Sequence, residues 1–224
     1  MELAAFAGST RTAADRAASV ERQRVRGEAS ERRARERAEQ RLPQLIRADD
    51  AGCVRLTNER VDNAGMGVVM ACLLDPRPEM GFGERMRKPL TSLSLDSCGL
   101  LRLPGAIGEL RALRTLNVSY NLLEELPDAI CELPALTTLY INNNRIAALP
   151  AELGKLSKTL EFIYADFNRL AEMPASTEQL YKLRTLWLQS NPIRKLPKGV
   201  RALKHLESVR MPEPEAADVH WLDQ

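Results

Sequence analysis

Residues 90 to 211 repeat one frame five times in full and begin it a sixth time. The copy from Leu113 to Leu133 reads L-x-x-L-x-L-x-x-N-x-L-x-x-L-P-x-x-I-x-x-L. The same frame opens at Leu90, Leu136, Leu160, Leu183 and Leu206, with steps of 23, 23, 24, 23 and 23 residues. A period in the twenties cannot be a heptad or a membrane span. It describes a chain wound into coils, each too thin to bury its own apolar side and each stabilised by its neighbours.

Each part of the frame has a structural consequence. In Leu93 and Leu95, Leu116 and Val118, Leu139 and Ile141, and Leu186 and Leu188, apolar residues alternate with polar or aromatic ones. Period two predicts a short strand with one face buried and one displayed. Asn121, Asn144, Asn168 and Asn191 recur where the strand must turn, and Cys98 takes that place in the first copy. An amide there can satisfy backbone groups of adjacent coils that would otherwise be buried without partners. Pro104, Pro127, Pro150, Pro174 and Pro197 then stop the strand, and the apolar residues three and six positions later suit a short helical turn packed inward.

On this frame the chain resembles intracellular leucine-rich-repeat proteins of the Ras-suppressor and Scribble type, which share the L-P-x-x-I. The resemblance implies an α/β solenoid with a curved, concave parallel sheet. Residues 51–89 differ. Cys53-Val-Arg-Leu56, a turn, Val61 and then Gly65-Met-Gly67 opening an apolar run resemble one ribonuclease-inhibitor-type repeat with a longer helix. The segment is read as an atypical N-terminal capping repeat followed by a Pro- and Gly-rich loop. A lone G-x-G does not make a nucleotide loop, and the helix-start reading is preferred.

Thr12 to Arg41 is almost wholly Ala, Arg, Glu, Gln and Ser, with Glu28 and Arg32, and Glu31 and Arg35, in the favourable i,i+4 order. Residues 1–50 are therefore expected to form a long charged helical arm. Residues 212–224 lose the frame and are expected to form a C-terminal cap or tail. In the array itself, the copy from Leu136 carries one extra residue near Gly154 to Lys158. The copy from Leu160 has Ala165 and Thr177 where larger apolar residues are usual.

The formal charge of +2 sets up no strong field for nucleic acid or an anionic membrane, and no apolar run approaches a spanning length. The four cysteines form no C-x-x-C and no capping cluster, which points to a reduced compartment and a cytoplasmic location, with mitochondrial or ciliary ones as alternatives. His205 and His220 lie outside any metal spacing, and no catalytic motif occurs, so neither enzyme activity nor a cofactor is expected.

The informative residues face away from the leucines. The x of L-x-L reads Arg55, Ser94, Asn117, Tyr140, Tyr164, Trp187 and Arg210. A second column reads Ser97, Tyr120, Asn143, Phe167 and Ser190, with Phe162 alongside. Six of the chain's ten aromatic residues project from this surface, although Ala165 could leave room for Phe162 and Phe167 in the core. The candidate partner-binding set is Tyr120, Tyr140, Phe162, Tyr164, Asp166, Phe167, Trp187, Gln189 and Arg210. Clustered exposed Tyr and Trp suit a protein partner. The expected function is a non-enzymatic adaptor binding one or more proteins. The alternative is a structural subunit of a ciliary, mitochondrial or ribosomal assembly, anchored through the N-terminal arm.

Overall fold

The computed structural model describes residues 53–56, 61, 63–74 and 89–212, together with 47–48 and residues 21, 24, 29, 32, 33 and 36. These last six are helical and exposed, with Arg24 paired to Glu21 and Arg32 to Glu36. The expected helical arm over residues 1–50 is corrected at its end, where Arg47–Ala48 is a short strand that pairs with the strand Cys53–Arg55; the remaining residues of the arm, Glu28, Glu31 and Arg35 of the two i,i+4 pairs among them, lie outside the described residues. So do the loop from residue 75 to 88 and the tail from 213.

Eight strands form one sheet in sequence order. They are β1 (Arg47–Ala48), β2 (Cys53–Arg55), β3 (Ser92–Ser94), β4 (Thr115–Asn117), β5 (Thr138–Tyr140), β6 (Phe162–Tyr164), β7 (Thr185–Trp187) and β8 (Ser208–Arg210). β1 pairs antiparallel with β2, and every later pair is parallel. A twelve-residue helix, α1 (Asn63–Leu74), contains Gly65 and Gly67 and connects β2 towards β3. The described array is thus a leucine-rich-repeat solenoid.

The central residue of each strand stacks on its neighbours in register: Val54, Leu93, Leu116, Leu139, Ile163, Leu186 and Val209. All are buried except Val209, which is 41% exposed because no further strand covers it among the described residues. Register survives the longer coil: Thr138 still pairs with Phe162, 24 positions on. The extra residue is absorbed behind the strand. There Leu160 N–H donates to the Leu156 carbonyl four residues back, whereas Leu113, Leu136 and Leu183 each reach only three.

The prolines act as their fixed φ requires. Pro104, Pro127, Pro174 and Pro197 sit at φ between −52° and −70° in extended backbone, each immediately before a 3-10 turn. These turns stack tightly on the convex side. A Cβ on Gly108 would lie 2.7 Å from the Ala129 carbonyl oxygen, so only glycine fits there.

Between coils, the asparagines carry the buried polar load. Asn144 Oδ1 accepts from Leu123 N–H at 3.1 Å, while its Nδ2 donates to the Val118 and Ile141 carbonyls at 2.9 and 3.0 Å. Asn121 repeats the arrangement one coil earlier, and Asn168 and Asn191 one and two coils later. At Cys98 the thiol donates to the Leu56 carbonyl at 3.2 Å, doing for the first coil what an amide nitrogen does elsewhere.

Two stability measurements follow. Asn144→Ala strands the buried Leu123 N–H and takes one of two donors from each of the Val118 and Ile141 carbonyls, which keep Asn121 and Asn168, and should destabilise by about 2–3 kcal/mol. Calorimetry should show the melting midpoint lower by roughly 5–10 °C. Thr177 is fully buried and its Oγ1 has no hydrogen-bond partner. Thr177→Val keeps the shape, removes the orphaned hydroxyl, and should raise the midpoint by a few degrees, about 1 kcal/mol.

Candidate functional site

Because alternate strand residues point to opposite faces, the first and third residues of each strand share the concave surface. Along it the third residues run in register as Arg55, Ser94, Asn117, Tyr140, Tyr164, Trp187 and Arg210. The strand spacing of about 4.8 Å is close to an aromatic stacking distance, so large side chains in this column must touch. They do. Tyr140 and Tyr164 stack with ring centroids 4.6 Å apart and planes 5° from parallel. Trp187 meets Tyr164 edge-on at 4.8 Å and 86°. Arg210 closes the column, its guanidinium carbon 3.7 Å from the Trp187 ring centre. Trp187 Nε1 is anchored by a hydrogen bond to Ser208 Oγ at 3.2 Å.

Phe162 occupies the first position of β6, between Thr138 and Thr185, and is half-buried beside the aromatic column. Asp166 and Gln189 lie two residues beyond Tyr164 and Trp187. Asp166 Oδ1 accepts the Gln189 N–H at 2.7 Å. Burial pushes the Asp166 carboxyl above its ordinary range, while the Gln189 N–H and the charge of Arg210 pull it down and do not overcome the burial. Tyr164 is likewise pushed up, first by burial and then by Tyr140.

Tyr120 and Phe167 behave differently. Ser97, Tyr120, Asn143, Phe167 and Ser190 all sit at φ between 54° and 57°, a left-handed conformation that costs a side-chain-bearing residue about 1–2 kcal/mol. This turn swings each chain out of the strand's alternation. Tyr120 is 60% and Phe167 56% exposed, so Phe167 does not fill the space beside Ala165. The alternation instead continues through Asp96, Ser119, Asn142, Asp166 and Gln189, and simply extending period two past L-x-L would have found Asp96 and Ser119.

The structure therefore gathers Tyr140, Phe162, Tyr164, Asp166, Trp187, Gln189 and Arg210 on one surface, with Tyr120 and Phe167 on the turns that follow the strands. It also reveals an open depression of about 360 Å³ next to the aromatic column. Its lining is Arg55, Ser94, Asp96, Asn117, Ser119, Tyr120, Tyr140 and Asn142. Here Asn117 Oδ1 accepts the Ser119 N–H at 3.0 Å, Ser119 Oγ bonds Asn142 Oδ1 at 2.8 Å, and Ser94 Oγ donates to Asp96 Oδ1 at 2.7 Å.

No cluster of three metal-ligating side chains occurs among the described residues, and no described helix is long and apolar enough to cross a membrane. On the convex side Lys155 bridges Glu132 and Glu152, and both hydrogen bonds hold its ammonium strongly protonated. Cys131, buried beside them, has its thiol pushed up to about 11, chiefly by burial, so it stays protonated and unreactive.

A family model described as leucine rich repeat matches residues 88–146. Comparison with curated proteins returns no match. Among solved structures, a leucine-rich-repeat protein of Leptospira interrogans is 33% identical with a TM-score of 0.53, over 55% of this chain and 31% of that one. Internalin C2 from Listeria monocytogenes is 17% identical with a TM-score of 0.51, over 72% of this chain and 80% of that one. The ectodomain of the receptor kinase SOBIR1 from Arabidopsis thaliana is 24% identical with a TM-score of 0.50, over 55% and 70%. The match thus spans under a third of the Leptospira protein, and the other two likenesses are of fold.

Asp166→Asn should keep the Gln189 N–H bond while removing a desolvated charge. An Asp whose folded pKa is raised binds its proton more tightly folded than unfolded, so it lowers stability as pH rises through that window. The variant should therefore be more stable than wild type at pH 7. Denaturant titrations should show that advantage vanishing as pH falls into the ordinary carboxylate range.

Proposed function

We propose that the chain is a leucine-rich-repeat protein that acts as a non-enzymatic adaptor and grips a partner protein on its concave face. The repeat fold generally serves protein–protein interaction, and its stacked strands make an extended surface for that purpose. The observation that carries the proposal is the unbroken column Tyr140–Tyr164–Trp187–Arg210. Rings and guanidinium are pre-stacked, so little side-chain freedom remains to be lost on binding. Tyr, Trp and Arg are also the residue types that dominate interface energetics. Asn142, Asp166 and Gln189 beside them supply polar groups that fix a partner's orientation.

A reducing location such as the cytoplasm accords with this reading. Cys98 uses its thiol proton to satisfy the Leu56 carbonyl between coils, a role that an oxidised sulfur could not fill.

The test is affinity capture with the full chain, wild type beside the Tyr164→Ala/Trp187→Ala double variant, with melting midpoints measured in parallel. The expected outcome is one or a few proteins retained by wild type and reduced at least tenfold by the variant, while both stay folded. Equal capture by two folded proteins would overturn the proposal.

A further inference from the structure

The aromatic column has one closed end and one open end. At the β8 end Arg210 covers the Trp187 ring, Trp187 abuts Tyr164, and Tyr164 is covered by Tyr140. At the other end, the next residues in the column are Asn117 and Ser94, too short to reach far along a tyrosine ring. Tyr140 consequently forms a wall of the open depression. Resting on the concave-face reading above, we propose that this depression receives an arginine side chain of the partner, its guanidinium stacked on Tyr140 and paired with Asp96.

The molecule already contains the template for such a contact. Arg210 reaches back from the neighbouring strand to lay its guanidinium over Trp187. An incoming guanidinium over Tyr140 occupies the equivalent place one strand away on the other side, above Asn117. A planar, weakly hydrated cation fits a ring standing across the sheet better than a compact ammonium does.

The charges agree with this once distances are compared. Asp96 lines the depression, makes no ion pair among the described residues, and holds its Oδ1 towards Ser94. Asp96 lies on the coil of β3, one strand spacing of about 4.8 Å across and two residues of about 3.3 Å each along from the position above Asn117, roughly 8 Å in all. Arg55, the opposing charge, is on β2 and two spacings away, about 10 Å. The carboxylate is the nearer of the two charges. Asn117 Oδ1 is held by the Ser119 backbone N–H at 3.0 Å.

The experiment titrates the full-length protein with three end-blocked pentaglycine peptides whose central residue is arginine, lysine or citrulline, following by NMR the backbone amide signals of Asn117, Ser119 and Asn142, which line the depression. The arginine peptide should give saturable shifts, with lysine several-fold weaker and citrulline, planar but uncharged, weaker still. Asp96→Asn preserves the acceptor for Ser94 and should weaken the arginine peptide roughly fivefold, the size of one exposed ion pair. Tyr140→Leu should abolish saturation, and both variants should keep the wild-type melting midpoint. Equal binding of arginine and citrulline, or an Asp96→Asn variant that binds like wild type, would overturn the assignment. If no arginine-specific shift appears while the Tyr164/Trp187 double variant still loses its captured partner, the arginine assignment falls and the concave-face reading stands.

Discussion

Everything in this protein hangs on a buried amide. A coil of about 23 residues turns sharply after a three-residue strand, leaving backbone N–H and carbonyl groups pointing into an apolar interior. Such groups are expensive to bury without partners. One asparagine per coil answers both polarities at once, because an amide carries an acceptor oxygen and two donor hydrogens on a single short side chain. Asn144 shows the result: one bond to the Leu123 N–H, one to the Val118 carbonyl in the previous coil, one to Ile141 in its own. Glutamine is too long for this geometry, and aspartate has no donor. Cys98 shows the least that suffices, a single weak donor at the end of the array.

That ladder fixes the spacing of the coils, and the spacing fixes the functional surface. Residues just before each asparagine are driven to φ near 55° whether they are Ser, Tyr, Asn or Phe. The unfavourable conformation persists because the turns at Ser97, Tyr120, Asn143 and Phe167 are each tied to the next coil, as when the Tyr120 N–H donates to the Asn142 carbonyl and the Phe167 N–H to that of Gln189. With the turns held, the strands stay in register even where one coil is a residue longer, and the third strand position becomes a continuous column. Aromatic stacking on the concave face is thus a consequence of hydrogen bonding behind it.

The concave face is divided. Towards β8 it is aromatic and self-contained, with its cation already seated on Trp187. Towards β3 it is polar, hollow and lined by short side chains around Asp96. A partner lying across the strands would meet a rigid aromatic wall at one end and a polar recess at the other.

Much of this was legible from sequence alone. The period, the L-x-L alternation and the Asn and Pro positions determine a parallel solenoid, because nearest-neighbour stacking leaves a regular frame few other ways to bury its leucines. Period two equally determined that Tyr140, Tyr164 and Trp187 share a face. Tertiary structure decided what lies beyond the strand. The left-handed turns at Tyr120 and Phe167 are invisible in residue type, since neither tyrosine nor phenylalanine advertises a positive φ. They send those two rings outward, while the strand alternation runs on through the half-buried Asp96 and the buried Ser119 that line the depression. The depression, too, is a property of neighbours: Asn117 makes a hollow only because Tyr140 stands one strand away. Repetition fixed the scaffold, whereas contacts between adjacent coils fixed the site.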